Sequence, residues 1–535
     1  MRDKFSSVTQ TETILFFSIF LVLLHNITFF KKVIETYVQS PNGWLYVFSV
    51  AIVLSSVINL LFTFVRSKNT TKPILIIVLL LSSMTGYFID HYGIVLDEIM
   101  LINVTKTNSA EALELFNFQF VMYFILLGLL PSFIIYKIKI VDTSFKAEVL
   151  SKVKNIIASL FIIFGMLVLS GKFYASFFRE NKPLRYYTNP TYFFYSTGKY
   201  LSMWIKEGNT AMAHVGEDAA ISPLDVDRDL IILVIGETAR GDRFSLNGYS
   251  RETNPLLKNE DVVSFSNFSS CGTSTAISVP CMFSQFGRKN YNDKKGKITE
   301  NLLDILSHSK KVNILWRDNN SDSKGVASRM QYEDYQSRER NTICDVECRD
   351  EGMLVGLQEY IDKQVDGDIL IILHQMGNHG PAYYKRYPGE FERFQPVCRT
   401  NQLEKCSTEE ISNAYDNAIL YTDYFLAKTI AFLKPNTKKF ETAMFYVSDH
   451  GESLGEGGLY LHGLPYFMAP SEQKMVGAVL WVDNRIMARN HTSYPMLMKK
   501  SSLPYSHDNI FHTILGLFQV ETSIYNNKLD ILSEQ

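Results

Sequence analysis

The chain has 535 residues, more than one ordinary domain requires, so we expect at least two structural parts. Its formal net charge of −2 and its apolar share of 46% exclude a strongly basic nucleic-acid-binding protein and a disordered chain. The distribution of the apolar residues along the chain is therefore the informative feature.

Long apolar blocks dominate the first 171 residues. Each is close to the roughly 17–25 residues that cross a bilayer as a helix, whereas helices buried in soluble cores are shorter and rarely occur five in a row. We therefore predict a transmembrane domain over residues 1–171. Its five helices are expected at residues 13–30, 44–65, 73–89, 118–136 and 153–171.

The first block has one alternative interpretation, a cleaved signal peptide. Its apolar part is longer than that of an ordinary signal peptide and no small-residue cleavage site follows, so we expect the block to stay as an anchor. His25 lies inside this block. An ionisable residue within a span is notable as a possible functional residue, but the sequence assigns it no role.

Lysine and arginine in the short loops predict the orientation of the spans. The 66–72 loop carries three such residues and the 137–154 loop carries five, so we place both in the cytoplasm. The 90–116 loop carries one, Lys106, against five acidic residues, as an outward loop should. With the N-terminus inside, everything after residue 171 lies outside, and the 90–116 loop becomes a candidate for shaping lipid access.

All six cysteines lie in the part of the chain that we place outside the membrane. An even set in close pairs is typical of disulfides in an oxidising compartment. Zinc binding by the cysteines is the alternative, which the spacing disfavours because no histidine pair is nearby. Proximity alone suggests the pairs Cys271–Cys281, Cys344–Cys348 and Cys398–Cys406.

Residues 172–228 form a predicted linker, and residues 229–535 a second domain. Within the linker, residues 189–207 mix aromatic rings, hydroxyls and lysines, which is typical of a helix at the membrane surface. A helix packed on the following domain is an equal alternative.

Short continuous apolar runs in the second domain predict strands that are buried on both faces. Stretches long enough for helices separate them, so we expect an α/β domain with a parallel or mixed sheet. Ligands bind beyond the carboxyl ends of such strands. The runs cover residues 230–237, 312–320, 368–375, 443–450 and 475–484, and polar residues follow several of them, namely Glu237, Asp318 to Asn320, His374 to His379 and Asp449 with His450.

Glu237, Asp449 and His450 are the ligand types that hold a divalent cation through oxygen atoms and one imidazole. Asp449 and His450 are adjacent, and we expect Gly451 to supply the backbone flexibility that lets both point inward. A hydroxyl becomes a good nucleophile when such a cation binds it. The exposed backbone N–H groups at the start of a helix stabilise the phosphate that the hydroxyl attacks.

The stretch "SSCGTSTAISVPC", residues 269–281, offers hydroxyls of this kind at a predicted helix start. Spacing does not choose among them, and any one taken singly is equally typical of an ordinary helix cap. A Cys271–Cys281 bridge would fix this turn against the sheet. The candidates are Ser270, Thr273, Ser274, Thr275 and Ser278.

Four longer motifs resemble those of the lipid A phosphoethanolamine transferases, a family that includes the mobile colistin-resistance enzymes. The resemblance covers the layout of the membrane domain and nearly all of the second domain, and it implies an alkaline-phosphatase-like (sulfatase-like) α/β fold. The motifs are "GETAR" (236–240), "SCGTSTAISVPCMFS" (270–284), "HQMGNHGPAYYKRYP" (374–388) and "VSDHGESLGEGGLYLHGLPY" (447–466). The short "CDVEC" loop (344–348) is more compact than in some members of the family, which puts that local disulfide in doubt.

The resemblance also implies residue roles. It makes Thr275 the nucleophile and implies a catalytic zinc ion, although manganese would suit the same oxygen-rich set. It implies zinc ligands at Glu237, Thr275, Asp449 and His450, a substrate phosphate or second zinc site at His379 and His462, and phosphoethanolamine contacts at Asn320, Ser321, Lys324 and Glu452.

The implied reaction moves phosphoethanolamine from phosphatidylethanolamine to lipid A through an ester on Thr275, and diacylglycerol is released. The implied location is the bacterial inner membrane, with a periplasmic catalytic domain, and we expect a monomer that binds no nucleic acid. An added ethanolamine cation would weaken the binding of polymyxin and colistin to the lipid. The sequence leaves open which lipid A phosphate, or a core sugar instead, is the acceptor.

Two other readings remain. A sulfatase or a polymerase of the lipoteichoic acid kind could share the metal ligands, but neither the C-x-P-x-R nor the S-x-P-x-R sulfatase signature is present at the nucleophile. A transporter or sensor would need polar residues inside the spans, where few occur.

Overall fold

A computed structural model describes residues 8–40, 42–107, 112, 114–141, 143–206, 211–223, 225 and 227–533. The chain divides into two compact units. The first contains Met1–Leu101 and Phe116–Ser202, and the second contains Ile102–Leu115 and Met203–Gln535. A short segment that interrupts the first unit in sequence thus belongs to the second.

The first unit consists of helices. Four of them are long and apolar enough to cross a membrane, in accord with the predicted spans after the first. The third of these contains a π-helical turn at Phe124–Leu129. The four helices are Gly43–Val65, Thr71–Tyr92, Phe118–Lys137 and Phe145–Leu169.

The first predicted span is divided. Residues 13–30 belong to two helices, Gln10–Leu24 and Ile27–Tyr37, with a bend of 64° between them. Asn26 lies at the break, where its side-chain Nδ2 donates to the backbone oxygen of Leu21 at 2.9 Å. Because an asparagine side chain competes for backbone hydrogen bonds, a purely apolar count misses this break. The described residues contain four candidate spans, or five if the bent pair is one span.

The predicted linker is largely helical. It contains the helices Gly171–Glu180 and Thr191–Lys206, joined by the 3-10 turn Lys182–Tyr187. Residues 207–210, 224 and 226 of the linker lie outside the described residues. A further short helix, Glu98–Lys106, crosses the boundary between the two units.

The second unit is built on a seven-stranded sheet, which confirms the predicted α/β domain. Its strands are β1 (Asp229–Gly236), β2 (Val263–Ser264), β3 (Val312–Asp318), β4 (Gln331–Asp334), β5 (Asp368–His374), β6 (Glu441–Ser448) and β7 (Ala478–Val482). Their order is β2-β7-β6-β1-β5-β3-β4. The run from β6 to β4 is parallel, and β7 is antiparallel to both of its neighbours.

Helices cover both faces of the sheet. Alternate side chains of β1 enter two separate hydrophobic clusters, with Leu233 in one and Val234 in the other. This two-sided burial explains why the strands read as continuous apolar runs. The helices are Thr275–Met282, Gly287–Asn290, Asp293–Lys297, Leu302–His308, Leu357–Lys363, Thr408–Asn436, Asn484–Arg489, Tyr494–Lys500 and Asp508–Leu517.

The register of the parallel strands brings their carboxyl ends to one edge. Gly236 of β1 pairs with Ser448 of β6, so the residues that follow both strands emerge side by side. Asp318 of β3 pairs with His374 of β5 at the same edge. In the part of the chain that the structure describes, three short ladders lie outside the sheet, Ala220–Ile221 with Val520–Glu521, Phe268–Ser269 with Tyr505–Ser506, and Ser453–Leu454 with Tyr460–Leu461.

Candidate functional site

Glu237, Asp449 and His450 form a compact group of potential metal ligands at this edge. Glu237 follows β1, and Asp449 and His450 follow β6. One ligand atom from each residue lies within 4.8 Å of the others, and all three side chains are buried. His450 Nε2 is 3.4 Å from Glu237 Oε1 and 3.4 Å from Asp449 Oδ2. The two adjacent parallel strands therefore bring together three residues that are far apart in sequence.

Thr275 is the candidate hydroxyl that reaches this group. Its Oγ1 donates to Glu237 Oε2 at 3.0 Å and lies 3.3 Å from His450 Nε2. It is the first residue of the helix Thr275–Met282 and is only partly buried, so a ligand can approach it.

The other four candidate hydroxyls are engaged or placed elsewhere. Thr273 donates to the backbone oxygen of Leu464, and Ser270 donates to that of Gly272. Ser278 accepts from the backbone N–H of Gly272, and Ser274 is buried at the cap of the helix. Distance in space thus makes the choice that sequence spacing left open.

The donor atoms of this group suit a divalent cation. Asp449 Oδ2 is buried and accepts no hydrogen bond from the described residues. His450 Nδ1 lies 2.9 Å from the backbone oxygen of Gly451, which places the ring proton on Nδ1 and turns the lone pair of Nε2 toward the carboxylates. Burial raises the pKa of Asp449 and lowers that of His450 well below its usual value. A bound cation would offset the cost of keeping the carboxylate charged and buried.

The turn after β1 orients the carboxylate of Glu237. Thr238 has a positive φ of 51°, a conformation that the surroundings hold in place. Tyr415 Oη donates to the backbone oxygen of Thr238, and the backbone N–H of Thr238 donates to Asp449 Oδ1 at 3.2 Å. Asn320 Nδ2 donates to Glu237 Oε2 at 2.8 Å. The carboxylate therefore has little freedom to rotate.

His507 lies outside the four sequence motifs and fixes the turn before Thr275. Its Nδ1 accepts from the backbone N–H of Cys271 at 3.0 Å, and its Nε2 donates to the backbone oxygen of Ser448 at 3.0 Å. Burial lowers its pKa to about 4, consistent with a neutral ring that serves as both donor and acceptor. These two hydrogen bonds connect the turn before Thr275 to the end of β6.

A cavity of about 60 Å³ lies over Thr275. Four of the predicted substrate residues line it, His379, His462, Ser321 and Lys324. Asn320 and Glu452 are not among the lining residues. Asn320 donates to Glu237, and Glu452 Oε1 lies 3.2 Å from His462 Nδ1. Each therefore contacts a residue of the site without lining the cavity itself.

The two cavity histidines face each other. The ring centroids of His379 and His462 are 5.9 Å apart, and those of His450 and His462 are 4.2 Å apart. Burial lowers the pKa of His379 well below its usual value, and the charges of Arg386 and His462 lower it further. A neutral His379 offers a lone pair to a cation or a proton to a phosphate oxygen.

Three further residues line the same cavity, Asn103, Lys106 and Thr107. They belong to the segment 102–115, which is part of the 90–116 loop. The sequence predicted that this loop faces outward but did not predict a site residue in it. Residues 108–111 and 113 of that loop lie outside the described residues. Lys106, the one lysine of this acidic loop, is the sequence feature that could have indicated a site here.

Glu114 anchors this segment to the rest of the second unit. Its carboxylate accepts from Arg386 Nη2 at 2.6 Å and from Lys385 Nζ at 2.8 Å. Arg386 also donates from Nε to the backbone oxygen of His379 at 2.6 Å. One buried guanidinium thus connects the segment to a histidine of the cavity.

Two other histidines singled out from the sequence belong neither to the metal-ligand group nor to the lining of this cavity. His374 Nδ1 is 2.9 Å from Asp318 Oδ2, and Trp316 Nε1 donates to the same oxygen, so His374 is a buried strand residue. His25 is buried in the first unit, and its ring nitrogens make no hydrogen bond to the described residues. The six cysteines form the disulfides Cys271–Cys281, Cys344–Cys348 and Cys398–Cys406.

Comparison with known proteins agrees with this geometry. Residues 229–520 match the family model described as Sulfatase, and residues 54–205 match the model described as Phosphoethanolamine transferase EptA/EptB. Phosphatidylethanolamine transferase Mcr-1 of Escherichia coli is 43% identical over 516 residues, which cover 94% of each chain. The chain belongs to the phosphoethanolamine transferase family.

Two further relatives extend the match to the whole transferase. Phosphoethanolamine transferase EptA of Salmonella typhimurium is 39% identical over 98% of this chain and 96% of its own. Among solved structures, the integral membrane protein lipooligosaccharide phosphoethanolamine transferase A from Neisseria meningitidis has a TM-score of 0.93 and 34% identity, and covers 98% of this chain and 99% of its own. The sulfatase-like fold of the second unit and the apolar helices of the first are both family features.

Gly451 is required for space and not for flexibility, which corrects the expectation from the sequence. Its φ is not among the positive values, and a Cβ at this position would lie 2.0 Å from the backbone oxygen of Glu472. Gly451→Ala must displace the chain next to His450, so we expect a loss of about 1–3 kcal/mol in the free energy of unfolding. Thermal unfolding of the purified transferase measures it.

Gly389→Ala is the matched control, because a Cβ there meets no heavy atom within 4 Å. Equal melting temperatures for both variants would contradict the steric account.

The anchoring role of Glu114 is also testable. Glu114→Ala removes the acceptor that holds Lys385 and Arg386, so we expect residues 102–107 to exchange amide hydrogens about tenfold faster or more. Hydrogen exchange with mass spectrometry measures this, and Glu390→Ala, at an exposed position, serves as control. Unchanged protection of residues 102–107 in Glu114→Ala would show that Glu114 does not hold the segment.

Proposed function

We propose that this transferase moves phosphoethanolamine from phosphatidylethanolamine to lipid A, through a covalent ester on Thr275, and releases diacylglycerol. The observation that carries the proposal is the contact of the Thr275 hydroxyl with Glu237 and His450, at the rim of a cavity with basic and imidazole side chains. The names of the relatives support the donor and the acceptor class, since one is a phosphatidylethanolamine transferase and another acts on lipooligosaccharide.

Zinc is the cation that we propose for Glu237, Asp449, His450 and Thr275 Oγ1, although the same donor set also suits manganese. When bound, such a cation lowers the pKa of the threonine hydroxyl and neutralises charge on phosphate oxygens. The orphaned Asp449 Oδ2 and the lone pair of His450 Nε2 support a bound cation. A second zinc ion would use His379 and His462.

The first half of the proposed reaction loads the threonine. Thr275 Oγ1 directs its proton toward Glu237 Oε2, which leaves an oxygen lone pair for the phosphorus of the donor. Attack forms the bond between Oγ1 and phosphorus and breaks the bond between phosphorus and the glycerol oxygen. The proton lost by Thr275 balances the proton that diacylglycerol gains as it leaves.

The second half unloads it. An oxygen of the acceptor attacks the same phosphorus, the bond to Oγ1 breaks, and Thr275 regains a proton. Lys324 is well placed to hold the phosphate in both halves, because its side chain is only 4% exposed and its Nζ donates to Ser321 Oγ and to the backbone oxygen of Ser321. A buried ammonium stabilises the charge that develops on phosphate oxygens.

The proposed setting follows from the substrates. Both are lipids whose headgroups meet the outer leaflet of the bacterial inner membrane, so an anchored catalytic unit in the periplasm keeps Thr275 within reach of them. We propose that the enzyme acts as a monomer. Adding an ethanolamine cation to lipid A would reduce its attraction for polymyxin and colistin.

Variants of Thr275 test the covalent step. We expect the wild-type protein and Thr275→Ser to gain the mass of phosphoethanolamine when incubated with phosphatidylethanolamine, because both keep a hydroxyl. Thr275→Ala should gain none, and transfer of radiolabelled headgroup to lipid A should fall by about a thousandfold or more. Intact-mass spectrometry and thin-layer chromatography provide the two readouts.

Thr273→Ala is the matched control, since its hydroxyl donates to Leu464 and not to the metal group. An adduct on Thr275→Ala, or hydrolysis of sulfate esters by the wild-type protein without any headgroup transfer, would contradict the proposal.

A further inference from the structure

A second cavity of about 210 Å³ lies in the same unit, beside the cavity over Thr275. The two cavities share one side chain, that of Lys324. The second is bounded by Pro280 of the helix that begins at Thr275, by residues 291–301 and by residues 324–329. None of the predicted site residues except Lys324 lines it, so the proposed reaction leaves it without a role.

The lining of this second cavity is basic. Lys297, Lys324 and Arg329 contribute three cations and Asp293 one carboxylate. Two further carboxylates lie just outside the lining, since Asp304 pairs with Arg329 and Asp322 lies 3.8 Å from Lys324. Lys297 Nζ lies 2.7 Å from Asp293 Oδ2, and the lysine side chain is 44% exposed. Arg329 is oriented by two hydrogen bonds to Asp304, which fix one edge of its guanidinium. The fixed guanidinium and the two lysines are side chains of the kind that bind phosphate.

The positive charge continues on both sides of the cavity. Lys106 lies in the wall of the first cavity, and burial lowers its pKa. The charge of Asp293 raises this pKa and the charges of Lys297 and Lys324 lower it, so all three groups lie near Lys106. On the outer side, the stretch 288–297 exposes further cations at Arg288, Lys289, Lys294 and Lys295. The second cavity is thus the middle of a basic strip that ends at Thr275.

We propose that the second cavity is the acceptor subsite, which binds the phosphate of a phosphorylated sugar headgroup through Lys297 and Arg329. The inference rests on the proposed function, because it assigns the lipid that accepts the headgroup from Thr275. Lys324, common to both cavities, then lies between the bound acceptor and the loaded threonine. An acceptor held there has its reacting oxygen next to the phosphorus on Oγ1.

Charge distinguishes the acceptor from the donor in this cavity. Phosphatidylethanolamine carries an ammonium group beside its phosphate, and like charges repel in a cavity lined by two lysines and an arginine. A phosphorylated sugar carries no cation, so this repulsion is absent and the lysine ammonium groups attract its phosphate. The second cavity therefore selects against the donor headgroup and keeps the acceptor site available while Thr275 is being loaded.

The test separates the two half-reactions in the full-length enzyme. Diacylglycerol released before acceptor is added reports loading of Thr275, and the rate of headgroup transfer at varied lipid A concentration reports acceptor binding. We expect Lys297→Gln to raise the KM for lipid A about tenfold and Lys297→Glu to raise it further, with a smaller effect on kcat. Lipid A lacking its phosphates, added as a competitor, should inhibit transfer equally weakly in the wild-type enzyme and in the variants.

Lys439 provides the matched control, because it is an exposed lysine that lies 3.8 Å from an aspartate, Asp362, and it lines neither of the two cavities. Lys439→Gln and Lys439→Glu should keep the wild-type KM for lipid A. Inorganic phosphate, a probe without a lipid, should inhibit transfer by the wild-type enzyme and inhibit Lys297→Glu more weakly.

Three results would overturn the inference: a KM for lipid A in Lys297→Glu within twofold of the wild-type value, an equal effect in Lys439→Glu, or a rise in the KM for phosphatidylethanolamine in place of that for lipid A. Failure of the proposed function looks different, because the wild-type enzyme would then release no diacylglycerol before the acceptor is added.

Discussion

The site depends on one electrostatic constraint, the burial of two carboxylates and an imidazole that face one another. Glu237, Asp449 and His450 are all fully buried, and the ring of His450 turns its unprotonated nitrogen toward both acids. Buried charges are stable only when they are paired or bind a cation. The register of β1 and β6 brings these groups together, because it places the residues after both strands side by side. The cation that we propose at this point would make the arrangement favourable and would activate the threonine beside it.

The surrounding residues make sense as supports for that constraint. Asn320 donates to Glu237 from one side, and Thr275 donates to it from the other. His507 connects the turn before Thr275 to the end of β6, so Thr275 and the group of Glu237, Asp449 and His450 share one rigid frame. On the more exposed side, Lys324 lines both the small cavity over Thr275 and the larger second cavity. The proposed sites for the cation, the donor and the acceptor are therefore adjacent.

Much of this could be predicted from the sequence, for physical reasons that differ from residue to residue. The continuous apolar runs identified the five longer strands, because strands buried on both faces have no polar alternation, and the acids after β1 and β6 followed from the rule that ligands bind at the carboxyl ends. The choice of Thr275 came from resemblance alone, since five nearby hydroxyls satisfy the same local pattern. The short strands β2 and β4 could not be predicted, because a run of two to four residues shows no periodicity of apolar residues.

Other features required three-dimensional information. Glu114 lies 272 positions before the Arg386 that it binds, and His507 lies 236 positions after Cys271, so no local pattern connects them. The break lies at Asn26, a polar residue whose side chain donates to the backbone oxygen of Leu21, and a hydropathy count ignores such a bond. The contacts of Asn320 with Glu237 and of Glu452 with His462 depend on side-chain direction, which the sequence does not show.

The most direct measurement is X-ray diffraction from zinc-soaked crystals, recorded on both sides of the zinc absorption edge. The account predicts an anomalous peak about 2.0–2.2 Å from the carboxylate oxygens of Glu237 and Asp449 and from His450 Nε2, with Thr275 Oγ1 as the fourth neighbour. Zinc bound elsewhere, with no peak among these three side chains or with Thr275 turned away from them, would contradict it.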